Sequence, residues 1–117
     1  MTVLRIVANL HAPDPAATAA FYRDLLGLDI AMDQGWIVTL AATTTMTPQL
    51  SLASEGGAGT ELPALSIEVD DVDAVLARAR AAGHAIVYGP ADEAWGVRRF
   101  FVRDPAGHLV NALAHAA

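Results

Sequence analysis

An aspartate, a helix-forming run and a glycine occur twice in this chain at nearly the same spacing. The first copy runs from Asp14 through Pro15-Ala-Ala-Thr-Ala-Ala-Phe21-Tyr22-Arg23-Asp24-Leu25-Leu26 to Gly27, and the second from Asp71 through Val72 to Ala82 and on to Gly83. Asp14 and Asp71 are 57 positions apart, Gly27 and Gly83 are 56 apart. In a chain of 117 residues, neither copy is large enough to bury a core alone. The repeat therefore predicts two halves of one domain.

Both helices carry their own start and stop signals. Asp14 and Asp71 can accept from free N–H groups of the first turn, and Pro15 sacrifices only an N–H that would be unpaired anyway. Gly27 and Gly83 can take the positive φ that ends a helix. Ala17, Ala20, Phe21, Leu25 and Leu28 form one apolar stripe; Val72, Val75, Leu76, Ala79 and Ala82 form the other.

Around the helices the patterning is that of strands. In the first half these are Val3–Leu10, Asp29–Asp33, Trp36–Ala41 and Gln49–Ala53. In the second they are Ala64–Val69, Ala85–Gly89, Val97–Arg103 and Leu109–Ala114. The expected fold class is α+β, two βαβββ modules forming a curved, cup-like mixed sheet with the helices outside. Module one spans about 1–54 and module two about 62–117. Residues 55–61 are the hinge, within a stretch of small permissive residues that suits a mobile connection. Pro90 to Gly96 is expected to be a loop. Alternation separates two faces. Leu4, Ile6, Ala8 and Leu10, with Leu65, Ile67 and Val69 and with Val110, Ala112 and Ala114, are uniformly apolar and should face the helices. The opposite sets include Ser66, Glu68 and Asn111, groups that a dry core would not carry unpaired, so that face is where a ligand can sit.

Composition narrows the function. Thirteen acidic residues against seven basic give a formal charge of -6, which argues against nucleic acid. The chain has no cysteine, which excludes disulfides and thiol chemistry and is compatible with a reducing, cytoplasmic setting. No apolar run is long enough to span a membrane, and no signal-peptide pattern opens the chain.

Asp14-(six residues)-Phe21-Tyr22-(two residues)-Leu25-Leu26-Gly27 resembles the first helix of the vicinal oxygen chelate superfamily, the fold of glyoxalases, bleomycin-resistance proteins and ring-cleaving dioxygenases. Phe100-Phe101-Val102-Arg103-Asp104-Pro105-Ala106-Gly107-His108 resembles their last hairpin, and Ala94 to Phe100 is most similar to the bleomycin-resistance branch. The resemblance implies a metal site on the concave face at positions that here read Val7, Gln49, Ala64 and Asn111. Valine and alanine have no donor atoms, and amide oxygens are poor partners for a divalent transition metal. The expectation is therefore no metal and no cofactor: a small-molecule binding protein, possessing homodimeric assembly as family members of this size do.

Candidate ligand-binding residues are Trp36, Gln49, Ser66, Glu68, Trp95, Phe101 and Asn111. The two indoles can stack on planar or cationic compounds, and Asp92 and Glu93 beside Trp95 favour cations. Core or interface packing is the other role open to the indoles, and Glu68 can instead pair with Arg5 of the same parity. His11 and His115 share the concave parity, whereas His84 and His108 are expected at the surface. Two alternatives remain: a metal-dependent lyase or dioxygenase of the same superfamily with displaced ligands, or a non-catalytic interaction module.

Overall fold

The computed structural model describes residues 1–47 and 49–116. The elements, in order, are α1 (Pro15–Leu26), β1 (Asp29–Asp33), β2 (Val38–Ala41), β3 (Leu65–Glu68), α2 (Val72–Ala81), β4 (Tyr88–Asp92), β5 (Val97–Arg103) and β6 (Leu109–His115). The α+β class is as expected, and the second half is a complete βαβββ unit. Its sheet has the order β3-β6-β5-β4, with β3 parallel to β6 and the other neighbours antiparallel.

Capping explains both helix starts. The Asp14 carboxylate accepts from the Ala17 amide at 3.3 Å and Asp71 from the Ala74 amide at 3.1 Å. Gly27 stops α1 in the left-handed conformation, φ 72°. The buried face of α1 is Thr18, Ala19, Phe21, Tyr22 and Leu25, so the stripe is rotated from the expected one and Ala17 is exposed. Tyr22 belongs to the interior because its hydroxyl reaches the buried Asp104 carboxylate at 2.7 Å. The core joins both helices to one sheet face: Phe21, Tyr22 and Leu25 meet Val72, Val75, Leu76 and Ala79 over Phe100, Val102, Val110 and Ala112. Leu65 and Ile67 pack against the same cluster, as their parity predicts.

The first half departs from its expected pattern. Among the described residues only the β1–β2 hairpin forms there, and neither Val3–Leu10 nor Gln49–Ala53 is a strand. In the second half the equivalent pair, β3 and β6, is parallel and mutually hydrogen-bonded. Period-two alternation marks a segment that fits a half-buried strand but does not supply its partner. Within one chain these two segments remain unpaired, leaving Val3, Leu4, Ile6, Val7, Leu50 and Leu52 exposed. A smaller departure is β4, which runs through Pro90 to Asp92 where a loop is expected. Proline fits there because β4 is an edge strand and its pairing shifts between Tyr88 and Ala91.

Candidate functional site

The sheet face turned away from the helices carries one row that crosses all four strands. Ser66 lies opposite Asn111, Asn111 opposite Phe101, and Phe101 opposite Tyr88. Ser66 is exposed at the β3 edge, whereas Asn111 and Phe101 are buried. The Asn111 amide donates to Ser66 Oγ at 3.1 Å, and its Oδ1 is buried with no partner among the described residues. Turning the amide over only exchanges which end is left unpaired. Buried polar groups normally find partners, so this one marks a place where something else supplies a hydrogen bond.

The next positions toward the open end carry charge. Glu68 faces Leu113, which faces Arg99. Glu68 pairs with His115, both exposed, rather than with Arg5. Arg99 is 4% exposed and donates through Nε to Glu93 at 3.1 Å. Its guanidinium lies 4.8, 4.9 and 5.3 Å from the ring centroids of Phe101, Trp95 and Tyr88. The Tyr88 hydroxyl donates to Glu93. That bond, ahead of the Arg99 charge, holds the Glu93 carboxyl below the usual carboxylate range, and in return Tyr88 is raised above the ordinary phenol. The acidic neighbour of Trp95 is thus matched by the chain's own cation. Asp92 is likewise matched, by Arg98 at 3.0 Å.

Ser66, Glu68, Phe101 and Asn111 therefore share one face, with Trp95 linked to it through Arg99. Trp36 and Gln49 are not brought there. Gln49 lies exposed in the unpaired segment. Trp36 borders a separate cavity of about 530 Å³ between α1, the hairpin and β3. Leu65 and Ile67 line that cavity, which places it on the helix side of the sheet, and Val7 lines it too. Arg99 and Tyr88 are members of the site that sequence reasoning missed, and Glu93, expected to favour a cationic ligand, is paired with Arg99 instead. Arg99 shares its strand face with Val97 and Phe101, a position where a charge needs a partner, and that was the available signal.

The histidines also find roles. His108 is in contact with the His11 carbonyl at 2.6 Å, and His84 stands edge-on to Phe21 at 4.9 Å. Among the described residues no group of three or more His, Cys, Asp or Glu is arranged to hold a metal ion. Of the positions that the resemblance implies for a metal, Ala64 and Asn111 belong to the second-half sheet region, while Val7 and Gln49 lie elsewhere. This donor set does not fit a divalent ion.

A family model for the Glyoxalase/Bleomycin resistance protein/Dioxygenase superfamily matches residues 4–112. The chain belongs to this superfamily. Solved structures agree on the fold of this glyoxalase-superfamily chain. TnmS3, an antibiotic binding protein from Streptomyces sp. CB03234, is 22% identical with a TM-score of 0.68, over 99% of this chain and 97% of that one. TioX from Micromonospora sp. ML1 is 24% identical with a TM-score of 0.62, over 100% and 97%. Lactoylglutathione lyase from Agrobacterium tumefaciens is 20% identical with a TM-score of 0.64, over 97% and 92%. Among curated protein sequences none matches the chain.

Proposed function

We propose that this superfamily member binds a planar small molecule on the inner face of its four-stranded sheet, without metal and without transforming it. The observation that carries the reading is the buried Oδ1 of Asn111, without a partner among the described residues and set between Ser66 and Phe101. A ligand lying on the exposed Ser66 side of the row would approach that amide, with the exposed Trp95 ring at the rim. TnmS3, an antibiotic binding protein of the same fold, supports a small-molecule binding role. Arg99 already fills the space between the aromatic rings and Glu93, so the site has no unmet demand for a cation, and flat neutral compounds are favoured over cationic ones. A cytoplasmic setting belongs to the same proposal, on the cysteine-free composition; among the described residues no helix is long and apolar enough to cross a membrane.

The test uses the indoles as reporters. A panel of planar aromatic compounds is titrated against intrinsic fluorescence, with Trp36→Phe isolating the Trp95 signal. Trp95→Ala, titrated by calorimetry because it removes the reporter, is expected to weaken binding by about 1–2 kcal/mol, roughly tenfold, the scale of one stacking contact. Affinity that is unchanged in Trp95→Ala, or a panel that leaves Trp95 emission unmoved, sinks the reading.

We also propose a homodimer. Leu4 and Leu52 are 87% and 90% exposed within segments patterned as strands, and β3 has a strand neighbour on one side only. A second copy would pair these segments and bury their apolar set. Light scattering at micromolar concentration should give twice the chain mass, with Leu52→Asp shifting it toward one chain. A wild-type protein of single-chain mass contradicts this assembly.

A further inference from the structure

We propose that residues 55–61 are a strap held across the inner sheet face by Arg99, which acts as its positioning residue. The latch rests on contacts within the chain and stands apart from the binding reading above.

Arg99, Phe101 and Arg103 are successive same-face residues of β5. Arg99 donates to the carbonyl of Gly56 at 2.7 Å and to that of Gly57 at 3.3 Å. Arg103 donates to Glu61 at 3.2 Å. Six residues of chain, 56–61, are thus fastened at two points of β5 that flank Phe101, so the segment passes over that ring. Phe101 is 1% exposed and is the cross-strand neighbour of Asn111. Residues 55–61, expected as the hinge, carry these hydrogen bonds to β5.

The strap has a defined shape of its own. The Gly56 amide donates to the Thr60 carbonyl at 2.9 Å, and the Thr60 amide and hydroxyl donate to the Gly57 carbonyl at 3.0 and 2.7 Å. Gly57, Ala58 and Gly59 are all left-handed, with φ of 82°, 51° and 73°. A Cβ at Gly56 would lie 2.1 Å from the Glu61 carbonyl oxygen, and one at Gly57 would lie 3.0 Å from the Trp95 ring. The segment contains no large apolar side chain, so burial does not anchor it. Its Arg103–Glu61 tie is solvent-exposed and contributes little. Arg99 is different: it is buried, paired with Glu93, surrounded by three rings and aimed at two strap carbonyls. A segment held by a few hydrogen bonds, with no large apolar side chain of its own, opens locally unless those bonds persist. The latch therefore resides in one guanidinium.

Hydrogen–deuterium exchange on the full chain tests this without any ligand, so failure of the latch and failure of the binding reading are separable. In Arg99→Gln, amides 56–61 should exchange about tenfold faster or more, while α2 and β6 keep wild-type protection. In Arg99→Ala, millimolar methylguanidinium should occupy the vacated place between the rings and Glu93 and slow exchange at 56–61 again, a rescue that a merely structural side chain would not show. Strap exchange in Arg99→Gln equal to wild type overturns the proposal, as does an Arg99→Ala protein whose strap exchange ignores methylguanidinium. If Arg99→Gln loses protection throughout, the comparison is read on Arg99→Lys. Lysine keeps a charge for Glu93 but has a single point donor for two carbonyls. Faster strap exchange there supports the latch, and unchanged exchange rejects it.

Discussion

Asp104→Ala should cost about 3–4 kcal/mol of folding stability, a large share of what a domain of this size has to spare. Asp104 is 4% exposed and accepts three hydrogen bonds: from the Tyr22 hydroxyl at 2.7 Å and from the Ala106 and His108 amides at 2.9 Å each. Its loss leaves three donors unsatisfied, and with them goes the tie between α1 and the β5–β6 turn. Tyr22→Phe removes one of the three and should cost about 1–2 kcal/mol. The same contact sets a pH limit. Burial first, then the hydrogen bond to Asp104 and its charge, push the Tyr22 hydroxyl well above its ordinary value. A folded-state pKa above the unfolded one gives stability that is complete below the unfolded pKa of about 10 and is lost as pH rises beyond it. Urea denaturation of the wild type should therefore weaken above that pH, and Tyr22→Phe should lack this part of the fall. A Tyr22→Phe protein with the same alkaline slope as wild type would disprove the assignment.

Asn111→Leu should separate binding from stability. The side chain is buried on a sheet face with one end of its amide unpaired, so an apolar replacement of similar size removes an unmet polar group. Ser66, which loses its donor, is exposed and can turn to water. Stability should stay level or rise by about 1 kcal/mol, while affinity for a planar ligand falls about 10- to 100-fold, the scale of one buried hydrogen bond. Paired denaturation and titration experiments decide between the two roles. A loss of more than about 2 kcal/mol of stability with affinity intact would make Asn111 a structural residue.

The helices were legible because their signals are local. An aspartate at each N-terminus, Pro15 and the closing glycines act within a turn of where they stand. The face assignment of β3 and β6 was legible for a similar reason, since Leu65, Ile67, Val110 and Ala112 alternate cleanly with polar or mixed neighbours. Val3–Leu10 and Gln49–Ala53 form no strand within one chain because strand identity is a property of a pair, and their patterning carries no statement of the partner. Pro90 looked like a breaker because its tolerance depends on lying at an edge and at a register shift, facts that exist only once β4 has found β5. The Arg99 cluster escaped for another reason. Asp92 and Glu93 read as unmet negative charge beside Trp95, and their partners sit in the following strand at positions where strand patterning leads one to expect solvent-facing or apolar residues.

Strand β5 has two faces of nearly equal polarity. One face holds Val97, Arg99, Phe101 and Arg103; the other holds Arg98, Phe100 and Val102. Sliding it by one residue would exchange the faces at little change in apolar content, so greasiness alone is a poor referee between the two alignments. What distinguishes them is company. Arg98 meets Asp73 of α2 and Asp92, each at 3.0 Å, and Arg99 meets Glu93 on the other side. The adjacent arginines thus work as a two-pin key, and the correct threading of this inner strand is spelled in charge.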